Sequence, residues 1–300
     1  VRERETLLLT RLHTPDAVLG RAGPKAMAHR RNNVTMFSLV DVDVSIDNSN
    51  VYPEGWTSEM QKFEKEMWKR GVRVEAIGVG SSHTIVLTSD GRVHSWGYGD
   101  RGQCGHGKYA GEHAPRAIEA LTYNLDRIPT SLPSNLGVKQ IAVGEDHCLA
   151  LTSSGRVYAW GSGRRGQLGL GAFDNCPSPM PVDLRRRVAQ IAAGATHSVA
   201  LVAAGSIYTW GSGLQLGLGV FTGTGDVAEP SPVKALAKYR VRSIAAGWDF
   251  TQAVTNDGEV FAFGANAFGQ LGVGDTKPRV IPTLVEGLKL NGVSAVVPLP

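Results

Sequence analysis

The strongest constraint on this chain is a four-fold internal repeat. VYAWGSGRRGQLG at 157–169 has relatives in VHSWGYGDRGQCG at 93–105, IYTWGSGLQLG at 207–217 and VFAFGANAFGQLG at 260–272. Self-similarity at a fixed period means stacked supersecondary units, none of which can bury its apolar surface alone. The chain's 37 glycines among 300 residues exceed the usual ~7%, and the excess falls at repeat positions, so it is not low complexity.

Each unit reads the same way. A first strand ends near a glycine: Val74–Gly78 (with Gly80 just beyond), Gln140–Gly144, Gln190–Gly194 and Arg242–Gly247. A second begins at His83, His147, His197 or Phe250. A tight turn follows at Gly91, Gly155, Gly205 or Gly258, where glycine supplies the positive φ that hairpin turns require. A third strand then ends at Trp96, Trp160, Trp210 or Phe263, each followed by a glycine (Gly97, Gly161, Gly211, Gly264). Short, evenly spaced strands with an aromatic and glycine signature indicate an all-β protein built of propeller blades. The units are expected at about 72–137, 138–187, 188–240 and 241–288, with a fifth starting at Val293.

Residues 1–71 stand outside the repeat as an N-terminal extension. The first 31 are basic, a trait of mitochondrial targeting segments, though Glu3, Glu5 and Asp16 run against it. Residues 40–46 (VDVDVSI) alternate as a half-buried strand does. Residues 58–70 read as a helix, with Ser58 and Gln61 as a capping box and Gly71 closing the end. Its apolar stripe of Met60, Phe63, Met67 and Trp68 is expected to pack on the propeller flank, with a partner-binding helix as the alternative.

The chain carries net charge +4 and three cysteines without a CxxC pairing, which favours a reducing, intracellular setting in cytoplasm or nucleus, or in the mitochondrion if the basic start is a targeting segment. No apolar run approaches the ~18 residues of a membrane span, and no secretory signal is visible.

The units resemble the repeat of the regulator of chromosome condensation family. The matching motif is Gly-x-x-His followed by Trp-Gly-x-Gly-x-x-Gly-Gln-Leu-Gly, and it covers about residues 72–288. The resemblance implies a seven-bladed β-propeller of four-stranded blades. The third unit is two residues short at 211–217, and the fourth replaces the histidine by Phe250, the tryptophan by Phe263 and a glycine by Asn266. Four units and the start of a fifth are fewer than seven blades, so a fragment or a divergent member is expected.

The repeat disposes of several motifs. GYGDRG at 97–102 and GSGRRG at 161–166 match a dinucleotide fingerprint, but they recur and no helix follows. GQCGHGK at 102–108 approaches a phosphate-binding loop, yet Tyr109 stands where a hydroxyl should hold magnesium. His83, His147 and His197 recur at one position, as hydrogen-bonding fixtures do, and Cys104 with His106 lacks a second ligand pair. Trp248, in GWDFT at 247–251, resembles a tryptophan element of a light-sensing family member, but one copy lacking the histidine makes no antenna. No cofactor, metal or catalytic set is implied.

Function is therefore expected in protein binding. His83 to His147 spans 64 positions, against 50 from His147 to His197, and the surplus at 106–137 holds Tyr123, Leu125 and Arg127. A second candidate loop, 219–232, holds Phe221 and Asp226. The family resemblance implies guanine-nucleotide exchange on a small GTPase. In that reading 106–137 is a wedge, with Asp100, Arg101, Arg164 and Arg165 as nearby contacts. The alternatives are a scaffold, in an organelle or a ubiquitin-ligase assembly, and a chromatin or nucleic-acid binder; for the latter Arg164 and Arg165 with Arg185, Arg186 and Arg187 would form one basic patch, although a solvated blade edge is the plainer reading and aromatic interleaving is poor.

Overall fold

The computed structural model describes residues 58–122, 137–219 and 225–289. The strand expected at 40–46, the basic start and the fifth unit lie outside these residues. The described chain is four antiparallel four-stranded sheets, each a meander in chain order. The first holds β1 (Val74–Val79), β2 (His83–Thr88), β3 (Val93–Gly97) and β4 (Glu112–Ala117). The second holds β5 (Val138–Val143), β6 (His147–Thr152), β7 (Val157–Gly161) and β8 (Cys176–Pro181). The third holds β9 (Val188–Ala193), β10 (His197–Val202), β11 (Ile207–Gly211) and β12 (Val227–Pro232). The fourth holds β13 (Val241–Ala246), β14 (Phe250–Thr255), β15 (Glu259–Gly264) and β16 (Arg279–Lys289). Helix α1 (Ser58–Lys69) precedes them, and α2 (Glu119–Thr122) follows β4. Among the described residues no helix is long and apolar enough to cross a membrane.

The second-to-third strand turns form as their sequence requires. Gly91, Gly155, Gly205 and Gly258 adopt φ of 75°, 85°, 89° and 80°, a region costly for any residue with a Cβ. Every first strand also carries a β-bulge at one place, skipping Glu75, Lys139, Ala189 or Arg242 in the ladder. Simple alternation does not foresee it.

Apolar cores lie between blades rather than within them. Ile85, Leu87 and Val93 of the first blade pack with Ile141, Val143 and Trp160 of the second. Leu149, Leu151 and Val157 of the second pack with Ile191, Val202 and Trp210 of the third. Val199, Leu201 and Ile207 of the third meet Ile244, Phe261 and Phe263 of the fourth. Polar clamps accompany this burial. The Gln140 amide donates to Ile191 O (2.9 Å) and accepts from Ile191 N (3.0 Å), as a neighbouring strand would. Gln190 repeats the clamp on Ile244, both bonds at 3.0 Å.

Of the apolar stripe on helix α1, Phe63 and Met67 pack as expected and Trp68 does not. Along β3, Val93 faces the second blade, so His94 points to the opposite face, where its ring meets Phe63 edge-on at 5.0 Å. Met67 is buried, whereas Trp68 stays 69% exposed. The helix thus covers the face that a preceding blade would cover, and ends with Gly71 left-handed at φ 60° and Val72 N bonding Met67 O at 3.0 Å.

Candidate partner-binding face

The meander places the connections between strands one and two, and between strands three and four, at one edge of every blade. The histidines lie just beneath this edge. His147 Nε2 donates to Ser198 Oγ of the next blade (3.0 Å), which donates to Gln167 O (2.7 Å). His197 does the same through Thr251 Oγ1 (3.0 Å) to Gln215 O (2.8 Å). His83 lies 3.1 Å from Cys148 Sγ, whose thiol points to Gln103 O (3.6 Å). Gln103 O and Gln167 O also accept Trp160 Nε1 (3.0 Å) and Trp210 Nε1 (2.9 Å). In the fourth blade Phe263 replaces that indole donor.

These rings are buried and neutral. Burial pushes His147 and His197 down to about 3 and His83 to about 4, where the Asp146 charge partly opposes it. Burial also pushes the Cys148 thiol well above its ordinary range, so the His83 and Cys148 pair is no thiolate nucleophile. Among the described residues, no group of three or more His, Cys, Asp or Glu side chains is placed to hold a metal ion.

Above the histidines, the loops are tied together. Ser81 N bonds Glu145 O (2.8 Å), Glu145 N bonds Ala195 O (3.1 Å) and Ala195 N bonds Trp248 O (2.9 Å), one backbone row across the four blades. The third-to-fourth strand loops are shaped by their glutamines. Gln103, Gln167 and Gln270 accept the backbone N–H of Arg101, Arg165 and Phe268, each at 2.9 Å, which fixes the tips of these turns. The third blade has lost those two tip residues. A short 3-10 turn at Leu214–Leu216 closes the gap with Gly217 at φ 67°, and Gln215 O is kept for Thr251.

Asp100, Arg101, Arg164, Arg165 and Asp226 all come to this edge. Arg101 ion-pairs with Asp146 across the first and second blades, and Ser81 Oγ donates to Asp146 at 2.8 Å. Arg165 pairs with Asp226 at 3.3 Å, and the Asp226 side chain is only 8% exposed. Asp226 is thus a positioning residue for Arg165 rather than a free contact. Asp100 is held by the Tyr98 hydroxyl. Phe268 is 81% exposed and Trp248 37% on the fourth blade. Phe268 escaped sequence reasoning, although it occupies the repeat position of Arg101 and Arg165, where a change from cation to aromatic is legible.

Two expectations need correction. Segment 106–137 is not one loop: residues 112–117 form β4, 119–122 form α2, and the part after β4 leaves from the opposite edge of the blade to Asp100 and Arg101. Tyr123, Leu125, Arg127 and Phe221 lie outside the described residues. Nor do the arginines make one patch. Arg164 and Arg165 follow β7 at one edge, whereas Arg185, Arg186 and Arg187 follow β8 at the other.

Inter-blade cores, neutralised histidines and a loop-built edge of charged and aromatic tips define a β-propeller of the protein-interaction class. The chain belongs to the RCC1-like domain family, whose model matches residues 50–297. It is 33% identical over 231 residues to the ultraviolet-B receptor UVR8 of Arabidopsis thaliana, covering 75% of this chain and 49% of that protein. It is 35% identical over 230 residues to the E3 ubiquitin-protein ligase HERC2 of Homo sapiens, covering 72% of this chain and 4% of that one. The chain therefore spans about half of the first relative and a small part of the second. Human WBSCR16 superposes with a TM-score of 0.60 at 27% identity, covering 71% of this chain and 53% of that one. Yeast RCC1 (Prp20), solved with Kap60, gives 0.60 at 24% identity over 76% and 53%, a likeness of fold alone.

Proposed function

We propose that this chain is a non-enzymatic docking propeller that holds a protein partner on the edge carrying Arg101, Arg164, Arg165, Trp248 and Phe268. The observation that carries this reading is the contrast between repeat positions. The histidine keeps its inter-blade contact in the first three blades and the glutamine caps the tip in the first, second and fourth, while the exposed tips change from Asp-Arg to Arg-Arg to Ala-Phe. An edge that carries exposed aromatics on the fourth blade and arginines on the first two suits a protein interface, where aromatics and arginines dominate binding energy. The partner class implied by the family resemblance is a small GTPase, and the activity would be nucleotide release by preferential binding to its empty state. The compartment in this reading is the cytoplasm or nucleus.

The test is capture of purified small GTPases on the immobilised chain, after EDTA stripping and again in excess GDP or GTP. Exchange activity requires that one GTPase binds when empty and leaves when nucleotide returns. Equal binding in both conditions makes the chain a scaffold. The absence of any GTPase removes that partner class.

A further inference from the structure

The opposite edge of the third blade carries a second surface. A cleft of about 200 Å³ opens there, floored by Val202, Ile207 and Leu236 and rimmed by Arg186, Lys234 and Ser206. The floor residues are buried and the rim residues exposed. Three segments build this edge: 182–188, 202–208 and 232–241. They contain Arg185, Arg186, Arg187, Lys234, Lys238 and Arg240, against the single carboxylate of Asp183. Asp183 is engaged by Arg185 at 3.1 Å, away from the cleft rim.

The arginine turn is held in place. Arg187 O accepts Ala203 N at 2.9 Å, tying it to the hairpin turn of the third blade. Arg185 adopts φ 45°, the one positive value for a non-glycine residue among the described residues. Such a conformation is unfavourable for a residue with a Cβ and persists only where the surroundings over-determine it. The turn therefore presents Arg186 beside the cleft at a cost in local stability.

We propose that this cleft binds an acidic peptide segment bearing one aliphatic anchor. The anchor would sit over Ile207 and Leu236 while flanking carboxylates pair with Arg186 and Lys234. Burying the anchor supplies affinity, and the predominantly positive edge, with Asp257 of the adjoining turn beyond Arg240, selects acidic flanks. Nucleic acid fits less well. The rim offers no exposed aromatic platform for base stacking, since Tyr208 and Tyr239 are half-buried.

The test uses the full chain and a fluorescein-labelled twelve-residue peptide of Asp and Glu with one central Leu. Anisotropy is compared with the Leu→Ala peptide and with a single-stranded oligonucleotide of equal charge. The proposal expects the Leu peptide to bind best, and Arg186→Glu or Lys234→Glu to weaken it about tenfold or more, the loss of a charge-assisted hydrogen bond. Ala237→Trp, at the exposed mouth, should block the peptide without touching the core. Equal binding of both peptides, stronger binding of the oligonucleotide, no binding, or indifference to these variants overturns it. Trp248→Asp and Phe268→Asp, on the other edge, should leave this binding unchanged.

Discussion

His147 Nε2 lies 3.0 Å from Ser198 Oγ, so one ring nitrogen of a second-blade histidine is bonded by a hydroxyl of the third blade. The ring also lies over Gly144, where a Cβ would come within 2.2 Å of it. The fourth blade shows what the position tolerates: Phe250 lies over Gly247 in the same way. His147→Ala should therefore cost about 2–4 kcal/mol, combining a cavity with a lost buried hydrogen bond. His147→Phe should cost less. Urea denaturation of both variants checks this, and an alanine variant as stable as the parent would contradict the relay.

The same histidines set a pH dependence. Their folded pKa values of about 3 to 4 lie below the unfolded value of 6.5. Below pH 6.5 the unfolded chain binds protons that the folded chain refuses. These histidines therefore give full stability above about pH 6.5, and stability falls as pH drops toward 4, by up to about 1.4 kcal/mol per unit for each histidine. Denaturant midpoints between pH 7.5 and 4.5 should decline, and His147→Phe should flatten the decline. A flat profile in the parent would mean the rings are not buried neutral.

Glycines in this fold serve two separable ends. Gly144 needs no positive φ, yet a Cβ there would lie 2.2 Å from His147 Cε1 and 2.5 Å from Gly194 O. Gly274 has open space but φ 86°. Gly144→Ala should disrupt the interface between the second and third blades, with a loss of several kcal/mol, whereas Gly274→Ala should cost roughly 1 kcal/mol. Thermal melts of the two variants should differ clearly; equal shifts would refute the steric account of Gly144.

Helix α1 makes a local prediction. Burial beneath Phe63 is the main cause that holds His94 below its ordinary pKa; Asp90 and Glu66 oppose it, and Arg92 and Arg70 assist. Phe63→Ala should let the His94 pKa rise toward 6.5, read from its imidazole NMR shifts. An unchanged pKa would show that the helix does not cover this face.

Much of the fold was legible because repetition multiplies weak signals. One Gly-x-x-His is ambiguous, but its recurrence locates equivalent strands: β2, β6 and β10 begin at His83, His147 and His197, and β14 at Phe250 in the same place. What lay hidden was relational. Nothing local to Gln140 says that its amide clamps Ile191 fifty-one positions on, and a bulge at Lys139 follows no alternation rule. The candidate site was partly legible for the same reason. Arg101 and Arg165 mark the tip position and Phe268 follows from it, whereas the partners Asp146 and Asp226 come from other blades. The arginine runs misled because sequence proximity does not say which end of a strand a loop leaves from.

The most direct test is partner capture by the Trp248→Asp, Phe268→Asp double variant beside the parent chain, with thermal melts to show that both remain folded. The account predicts that the variant keeps its melting temperature and loses the partner. A folded variant that captures the partner as well as the parent would show that binding does not use this edge, and the proposed docking face would have to be abandoned.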